Sequence, residues 1–210
     1  MYKRQLYEYS DQTRFGIGYR SQVKHKLKGD IKFEGLMLPA NQDISARITT
    51  PANLTIGAYH DINDKWSVMA EFGRTYWSSF DTLDIYGENN GKMSTTEERW
   101  KDTTFYAIGA SYQYNDQWKF RVGFAVDQSA VGQEYRTPRI PDSDRLWYSS
   151  GIEYKYNDDW TFNLGYTYIR ADKGKVKLLG YHDGDNARGS LQADYENDIH
   201  ILGFGASYNF

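Results

Sequence analysis

The sequence contains no cysteine, only 4 prolines and no long uninterrupted apolar run. Without cysteine there can be no disulfide framework and no thiolate metal site. A membrane-spanning helix needs about 20 consecutive apolar residues, so a helical membrane protein is excluded. The net charge is −3, and no lysine and arginine cluster indicates nucleic-acid binding. No secretory signal is visible, because no apolar stretch follows residues 1–5.

Aromatic side chains are abundant although the chain is hydrophilic on average. Of the 210 residues, 19 are tyrosine and 6 are tryptophan, while the mean hydropathy is −0.77. A membrane β-barrel needs only every second residue to be apolar, over segments of about 10 residues. The combination of low hydropathy and many aromatic residues therefore favours a membrane barrel.

Residues 112–127, with the sequence YQYNDQWKFRVGFAVD, are typical of a strand, a tight turn and a second strand. After the turn the residues alternate strictly, which is the period of a strand with one apolar and one polar face. The apolar face carries Trp118, Phe120, Val122, Phe124 and Val126. The opposite face carries Lys119, Arg121, Gly123, Ala125 and Asp127.

The same unit recurs at residues 154–164, 7–17 and, in a looser copy, 60–68. Each copy places an Asn/Ser-Asp turn between aromatic strand ends. Asn and Asp suit tight turns because their side chains bond nearby main chain. Tyrosine and tryptophan prefer a boundary between lipid and water. The four turns therefore predict one rim of a membrane barrel.

About eight strands are predicted, and short turns alternate with long loops at residues 86–99, 130–143 and 171–189. This asymmetry indicates an all-β fold, an antiparallel transmembrane β-barrel of the outer membrane. The alternative is a soluble lipocalin-like barrel, whose apolar face points inward. Here the polar-parity face is rich in Gly, Ser, Thr and charge, which suits a wet lumen. The predicted strands are residues 13–31, 43–61, 66–85, 103–114, 118–129, 144–156, 160–170 and 191–210.

Three local patterns refine this prediction. Alternating lysines over residues 23–33 indicate that this segment projects beyond the bilayer. Pro51 cannot donate to a ladder, so we expect a bulge or an unpaired position there. The last segment, IHILGFGASYNF, is aromatic on one face and ends on Phe210. It resembles the signal by which outer-membrane proteins reach the barrel-assembly machinery, which is therefore an expected partner.

Several strings resemble the long-chain fatty acid transporter family of outer-membrane proteins, the FadL/TodX type. They include TRFGIGYRS at residues 13–21, DKWSVMAEFGRTYWSSFDTL at 64–83 and IPDSDRLWYSSGIEY at 140–154. The resemblance implies a fourteen-strand barrel with an amino-terminal hatch, of which this chain is the carboxy-terminal portion. We predict a non-native leader at residues 1–5, a barrel domain at 6–210, and no transport by this fragment alone. Whether eight strands would close by themselves is left open.

The resemblance also implies a cation near a bound carboxylate, just before the WKD string. Thr96 occupies the place of the family's lysine, so Arg99 or Lys101 is the candidate substitute, against the alternative that both are solvated loop cations. Trp77 is predicted to line a pocket or to join the outer aromatic belt. Phe105 and Trp147 lie on the lumen parity and favour an apolar channel.

Opposed charges are also predicted inside the barrel. They are expected to form a structural network more than a ligand site. Arg145 is a candidate for both roles. The network consists of Arg121, Asp127, Asp144 and Arg145.

The predicted function is passive uptake of long-chain fatty acids or other hydrophobic small molecules across the bacterial outer membrane. The expected partners are that ligand, outer-membrane lipid and lipopolysaccharide, with the full-length protein a monomer, and no cofactor, metal or nucleic acid is expected. The alternatives are a diffusion porin and a barrel enzyme. No two of the four histidines have metal-ligand spacing, and we predict no enzymatic activity.

Overall fold

The computed structural model describes residues 1–32, 42–88, 91–180 and 189–210. These residues form an antiparallel all-β protein with one short 3-10 helix at Trp77–Ser79. None of the helical structure in this part of the chain is long and apolar enough to cross a membrane. The strands are β1 (Tyr2–Ser10), β2 (Thr13–Arg20), β3 (Val23–Ile31), β4 (Gln42–Thr50), β5 (Asn53–Asp61), β6 (Trp66–Thr75), β7 (Thr82–Tyr86), β8 (Lys92–Glu97), β9 (Thr103–Gln113), β10 (Trp118–Asp127), β11 (Arg145–Lys155), β12 (Trp160–Ala171), β13 (Gly174–Leu178), β14 (Leu191–Tyr195) and β15 (Asp198–Tyr208).

Nine strands form one continuous wall in the order β1-β2-β5-β6-β9-β10-β11-β12-β15. The ninth strand, beyond the eight predicted, is β1. On one side of the wall, neighbouring strands are joined by tight turns. On the other side, the connections contain a four-stranded sheet, β3-β4-β7-β8, and a two-stranded sheet, β13-β14. The predicted asymmetry between short turns and long connections is therefore confirmed.

The two faces of the wall differ as the alternation predicts. Along β10, the predicted apolar face is exposed and the opposite face is partly buried at every position. Large apolar side chains are highly exposed on this apolar face, with Ile108 at 64%, Val122 at 61% and Phe204 at 74% exposure. A contiguous apolar surface of this kind is not stable in water and indicates contact with lipid.

The tight turns share one hydrogen-bonding pattern that explains their recurrence. Asn63 Oδ1 accepts bonds from the main-chain nitrogens of Lys65 and Trp66 at 2.9 and 3.0 Å. Asn115 and Asn157 repeat this arrangement: the Oδ1 atom of each accepts bonds from the main-chain nitrogens two and three residues later. Each asparagine thus satisfies two main-chain donors that would otherwise be unpaired at the turn.

Two predicted loops contain strands, and these predictions were wrong. Residues 86–99 include β8, which pairs with β7, and residues 171–189 include β13, which pairs with β14. Strand β8 has the sequence KMSTTE and shows little apolar alternation because it lies outside the membrane-spanning wall. Strand β13 shows a short alternation, in which Val176 and Leu178 are buried.

The break at Pro51 is confirmed, because β4 ends at Thr50 and β5 begins at Asn53. Strand β5 belongs to the wall and β4 to the outer four-stranded sheet. The proline therefore marks the point at which the chain passes from the outer sheet into the wall. The predicted first strand, residues 13–31, divides in the same way into β2 in the wall and β3 outside it.

The non-native leader at residues 1–5 stays a prediction. Residues 2–5 are part of β1 and pair with residues 17–20 of β2. This register places Lys3 and Gln5 opposite Tyr19 and Ile17, on the exposed face of the wall. Most positions on that face elsewhere carry apolar or aromatic side chains, so the leader departs from the pattern of the wall.

Replacing Asn157 by alanine removes two turn hydrogen bonds, at 3.1 and 2.8 Å, to Asp159 and Trp160. We expect Asn157→Ala to lower the free energy of unfolding by about 1–2 kcal/mol. Asn157→Asp keeps an acceptor oxygen in place and should retain most of the stability. Denaturant unfolding followed by tryptophan emission measures both variants. Equal stability of the two variants would show that the side-chain acceptor is unimportant.

Candidate functional site

The candidate site lies at the loop end of the wall, on the inner face. The register pairs Asp127 of β10 with Phe105 of β9 and with Arg145 of β11, so the three residues share one row. The next row contains Trp147, which pairs with Ala125. The Phe105 and Trp147 rings are 6.4 Å apart at 88°, an edge-to-face contact. The structure thus brings together three of the predicted ligand residues, Phe105, Trp147 and Arg145.

Arg145 forms ion pairs with two carboxylates. Its Nη2 lies 3.0 Å from Asp127 Oδ2, and its Nη1 lies 3.0 Å from Asp142 Oδ1. Asp142 also accepts a hydrogen bond from the Ser129 hydroxyl at 2.8 Å. One guanidinium between two acids leaves no net positive charge at this point. Two members of the predicted network, Asp127 and Arg145, thus form an ion pair, and Asp142 is an unpredicted third member of this cluster.

The other two members of the predicted network lie elsewhere. Arg121 is six positions from Asp127 along β10, which corresponds to about 20 Å. It pairs with Glu153 of β11 and donates to Asn163 Oδ1 at 3.2 Å. Asp144 is exposed just before β11 and accepts a hydrogen bond from the Ser129 nitrogen at 2.7 Å. The four predicted members are therefore divided between separate clusters and do not form one network.

Trp77 belongs to a separate aromatic cluster on the loop side. Its ring lies 4.8 Å from Trp100, and Phe80 lies 5.0 Å from Trp100 in a perpendicular contact. Phe80 is buried, with 8% exposure. We refer to Trp77, Phe80 and Trp100 as the outer aromatic cluster. It connects the 3-10 helix after β6 to the segment that leads into β9.

The two candidate cations beside the WKD string have different surroundings. Arg99 has a positive φ of 42°, pairs with Glu97 at 3.4 Å and lies over the Tyr135 ring. Lys101 is exposed, and its ammonium forms no ion pair with the described residues. Thr96, at the place of the family's lysine, is buried in β8. Lys101 is therefore the cation that is free to meet an anion from solution.

Glu98 is a buried acid beside the outer aromatic cluster, with 5% exposure. Burial raises the pKa of the Glu98 carboxyl, while the hydrogen bond from Trp100 and the charge of Arg139 oppose this shift. Trp100 Nε1 donates to Glu98 Oε2 at 3.0 Å. Burial thus disfavours the charged form of the Glu98 carboxyl. The hydrogen-bond donor identified for this carboxyl is the indole N–H of Trp100.

Two buried donors at the site form no hydrogen bond of ordinary geometry with the described residues, although one of them, on Trp147, faces the Asp127 carboxylate. They are Arg145 Nε and Trp147 Nε1. A buried N–H without a partner costs about 1–3 kcal/mol. Both lie next to the Phe105–Trp147 contact, so a bound group with an acceptor oxygen would satisfy them.

Sequence reasoning missed Trp100, Glu98 and Asp142 as site residues. Trp100 and Glu98 lie within the string TTEERWKD, in which only the cations Arg99 and Lys101 were predicted as site residues. An acid two residues before a tryptophan in that string is the signal that was available. Asp142 lies in a segment where aspartates were expected to bond turn amides. In residues 1–32, 42–88, 91–180 and 189–210, no three His, Cys, Asp or Glu side chains are grouped as metal ligands.

An all-β wall with a lipid-facing exterior, tight turns on one side and long connections on the other defines an outer-membrane β-barrel protein. The sequence profile described as outer membrane protein transport protein (OMPP1/FadL/TodX) matches residues 5–210. The chain belongs to this family. Since the family is one of transport proteins of the outer membrane, the predicted localisation and the prediction of a non-enzymatic protein are confirmed.

Individual relatives agree with this assignment. The chain is 30% identical to the long-chain fatty acid transport protein of Escherichia coli strain CFT073, over 98% of this chain and 48% of that protein. It is 29% identical to outer membrane protein P1 of Haemophilus influenzae, over 98% and 45%. The crystal structure of a Pseudomonas aeruginosa FadL homologue superposes with a TM-score of 0.87 at 25% identity, over 99% and 51%.

The toluene transporter TodX of Pseudomonas putida superposes with a TM-score of 0.65 at 23% identity, over 100% of this chain and 48% of that one. This similarity supports the fold. The chain spans about half the length of the curated relatives it matches. The activity of the whole protein is therefore argued separately below.

Glu98→Gln should change how stability depends on pH. The raised pKa means that folded Glu98 binds its proton more tightly than unfolded Glu98. The free energy of unfolding therefore falls as pH rises from the unfolded pKa through the folded one, by at most about 1.4 kcal/mol per pH unit. Glutamine stays neutral and keeps an acceptor for Trp100, so this fall should disappear.

Urea unfolding between pH 4 and pH 9, followed by tryptophan emission, measures the effect. Glu134→Gln is the matched control, because Glu134 is exposed in the same region. A wild-type pH profile that Glu98→Gln leaves unchanged would contradict the expectation.

Proposed function

We propose that the protein takes up hydrophobic small molecules passively across the outer membrane. The observation that carries this proposal is the site at the loop end of the lumen, where Phe105 and Trp147 pack edge to face beside Arg145. Apolar side chains with a few convergent polar groups are typical of small-molecule sites. Membership of a transport family supports the same proposal.

An open groove lies on the inner face, and its nearest lining residues, Gly123 and Ser149, are one row from Ala125 and Trp147. It has a volume of about 800 Å³, and its lining includes several glycines and the larger side chains Met69 and Arg121. Gly109 and Gly123 leave the neighbouring strands β9 and β10 without side chains at this point, and Gly57 does the same on β5, beyond β6. This groove gives a ligand a path from the loop end toward the middle of the wall.

Long-chain fatty acids are the ligand class that we propose first. The exposed, unpaired ammonium of Lys101 is suited to a carboxylate, whereas Arg99 is already engaged with Glu97. The E. coli relative at 30% identity is named for long-chain fatty acid transport. Uncharged hydrophobic molecules are the second candidate, because Arg145 is already paired with both Asp127 and Asp142 and offers no free positive charge to a carboxylate.

Three further partners remain proposals. The lipid-facing wall would contact outer-membrane lipid and lipopolysaccharide. Phe210, whose ring lies 5.1 Å from Tyr208 at the end of β15, would be read by the barrel-assembly machinery. The full-length protein would act as a monomer, because each barrel would enclose its own lumen.

Uptake by whole cells tests the proposed function. Cells that express the gene should accumulate radiolabelled oleate, or a labelled neutral hydrocarbon, faster than cells that lack it. Equal rates for both ligands with and without the gene would overturn the proposal. Faster uptake of the hydrocarbon alone would retain hydrophobic uptake and remove fatty acids as its substrate.

Lys101→Gln tests the carboxylate contact. We expect the Kd for oleate to rise about two- to fivefold, which is the usual contribution of an exposed ion pair, while the Kd for a neutral hydrocarbon stays unchanged. Quenching of tryptophan emission measures both. Lys175→Gln, on the exposed hairpin of β13 and β14, is the matched control. An equal loss for both ligands would assign Lys101 a structural role.

A further inference from the structure

Strands β3 and β4 present a row of cations on one face of the outer sheet. Lys24, Lys26 and Lys28 alternate along β3, so their side chains share a face. The register places Arg47 of β4 directly opposite Lys26. We refer to these four residues as the cationic face. All four are exposed.

The acids closest to the cationic face do not form ion pairs with it in the described part of the chain. None of its four residues forms an ion pair with the described residues, and the nearby acids are engaged or displaced toward the far end of the ribbon. Asp30 pairs with Lys32 at 3.6 Å and is opposite Asp43. On the neighbouring strand β7, Asp84 is held by Lys92 at 3.1 Å and by Thr95 at 2.9 Å.

This arrangement is unfavourable for the isolated ribbon. Like charges directly opposite each other in an antiparallel pair repel across about 5 Å and destabilise the pairing. Strands β13 and β14 show the favourable alternative, in which Lys175 is opposite Asp194. An external anion between the side chains of Lys26 and Arg47 would therefore relieve this repulsion and stabilise the pairing of the two strands.

The position of the ribbon identifies the anion. Only residues 21–22 separate β2 of the wall from β3, and residues 51–52 separate β4 from β5. Lys24 thus lies about 13 Å of extended chain beyond the end of β2, and Lys28 about 26 Å. The long connections of such barrels lie outside the cell. The outer leaflet presents the phosphate groups of its glycolipid at this surface, and a ribbon of this length would reach them when it lies along the membrane.

The guanidinium of Arg47 and the ammonium groups of the lysines can bind phosphate oxygens in different ways. Arg47 can hold two phosphate oxygens at once, while the lysines act as point charges beside it. Their spacing of about 6.6 Å along β3 spreads the charge along the ribbon. A single small anion would meet one or two of these cations, whereas a glycolipid with several phosphates meets all four.

We propose that the cationic face of Lys24, Lys26, Lys28 and Arg47 binds the phosphate groups of lipopolysaccharide and fixes the β3–β4 ribbon on the membrane surface. This function is separate from ligand uptake through the lumen. The ribbon would thereby hold the outer four-stranded sheet, which includes β7 and β8 beside the outer aromatic cluster.

The test uses the protein as its gene encodes it, purified in detergent, with bisphosphorylated lipid A as the probe. We expect lipid A to bind at least tenfold more tightly than dephosphorylated lipid A, with an affinity that falls as salt rises. The double variant Lys26→Gln/Arg47→Gln should bind lipid A about tenfold more weakly. Lys175→Gln/Lys177→Gln, with the same charge change on another outer hairpin, should bind within twofold of the wild type.

Hydrogen exchange of the β3 and β4 amides provides an independent readout. Without lipid A, the double variant should exchange more slowly than the wild type, because the repulsion is gone. With lipid A, the wild type should slow down and the variant should not. Faster exchange in the variant without lipid A would overturn the proposed repulsion.

Three binding results would also overturn the proposal. They are unchanged affinity of the Lys26→Gln/Arg47→Gln variant, an equal loss in the Lys175→Gln/Lys177→Gln control, and equal binding of phosphorylated and dephosphorylated lipid A. Binding of inorganic phosphate alone with the affinity of lipid A would assign a small-anion site instead. Unchanged oleate uptake in the double variant is the expected result under the proposal and separates it from the lumen site.

Discussion

Main-chain hydrogen bonding between neighbouring strands is the constraint on which the rest of the structure depends. Within the bilayer an unpaired N–H or C=O group costs several kcal/mol, so each strand must be paired along its length. Within the nine-stranded wall the ladders meet this requirement for every strand between β1 and β15, which each have one neighbour in the sheet, and they also fix the register. A shift by one residue would exchange the two faces and place Arg145 and Asp127 in lipid. The site therefore exists because the ladder has one register.

The wall was readable from the sequence because lipid and water impose opposite demands on alternate residues. Residues 118–127 show this alternation clearly, and their predicted faces agree with the structure. The outer strands were harder to find because neither of their faces meets lipid. Strand β8, with the sequence KMSTTE, has no lipid-facing side and therefore no alternation of apolar and polar residues. Its pairing with β7 is visible only in the folded structure. Propensity in such a segment is too weak to reveal a strand.

The site was predictable in its parts and not in its connections. Parity alone placed Phe105 and Trp147 on the inner face, and the structure adds their contact. The partner of Arg145 on β10 follows from register, but Asp142 comes from a loop whose path the sequence does not specify. Arg121 shows the same limit, because its acid is Glu153 on the neighbouring strand. Charges on one face were foreseeable, whereas the choice among several nearby acids depends on distances of a few ångströms.

Most charges described on the inner face are paired. Arg145 lies between Asp127 and Asp142, and Arg121 pairs with Glu153 at another level of the wall. Under the proposed function, paired charges would hold a moving ligand less tightly than a bare cation would. Lys101 at the loop end forms no ion pair with the described residues, and its exposure keeps its attraction weak through solvent screening.

The recurring asparagine turns have a consequence for how such walls change over time. In three of the turns, Asn63, Asn115 or Asn157 accepts bonds from main-chain nitrogens of the next few residues, so the side-chain bonds that shape the turn stay within its own hairpin. A hairpin therefore behaves as a structural module of the wall. Duplication or loss of one module would alter the circumference of the wall by two strands and leave every other turn intact. Gene duplication can thus widen or narrow such a pore in even steps.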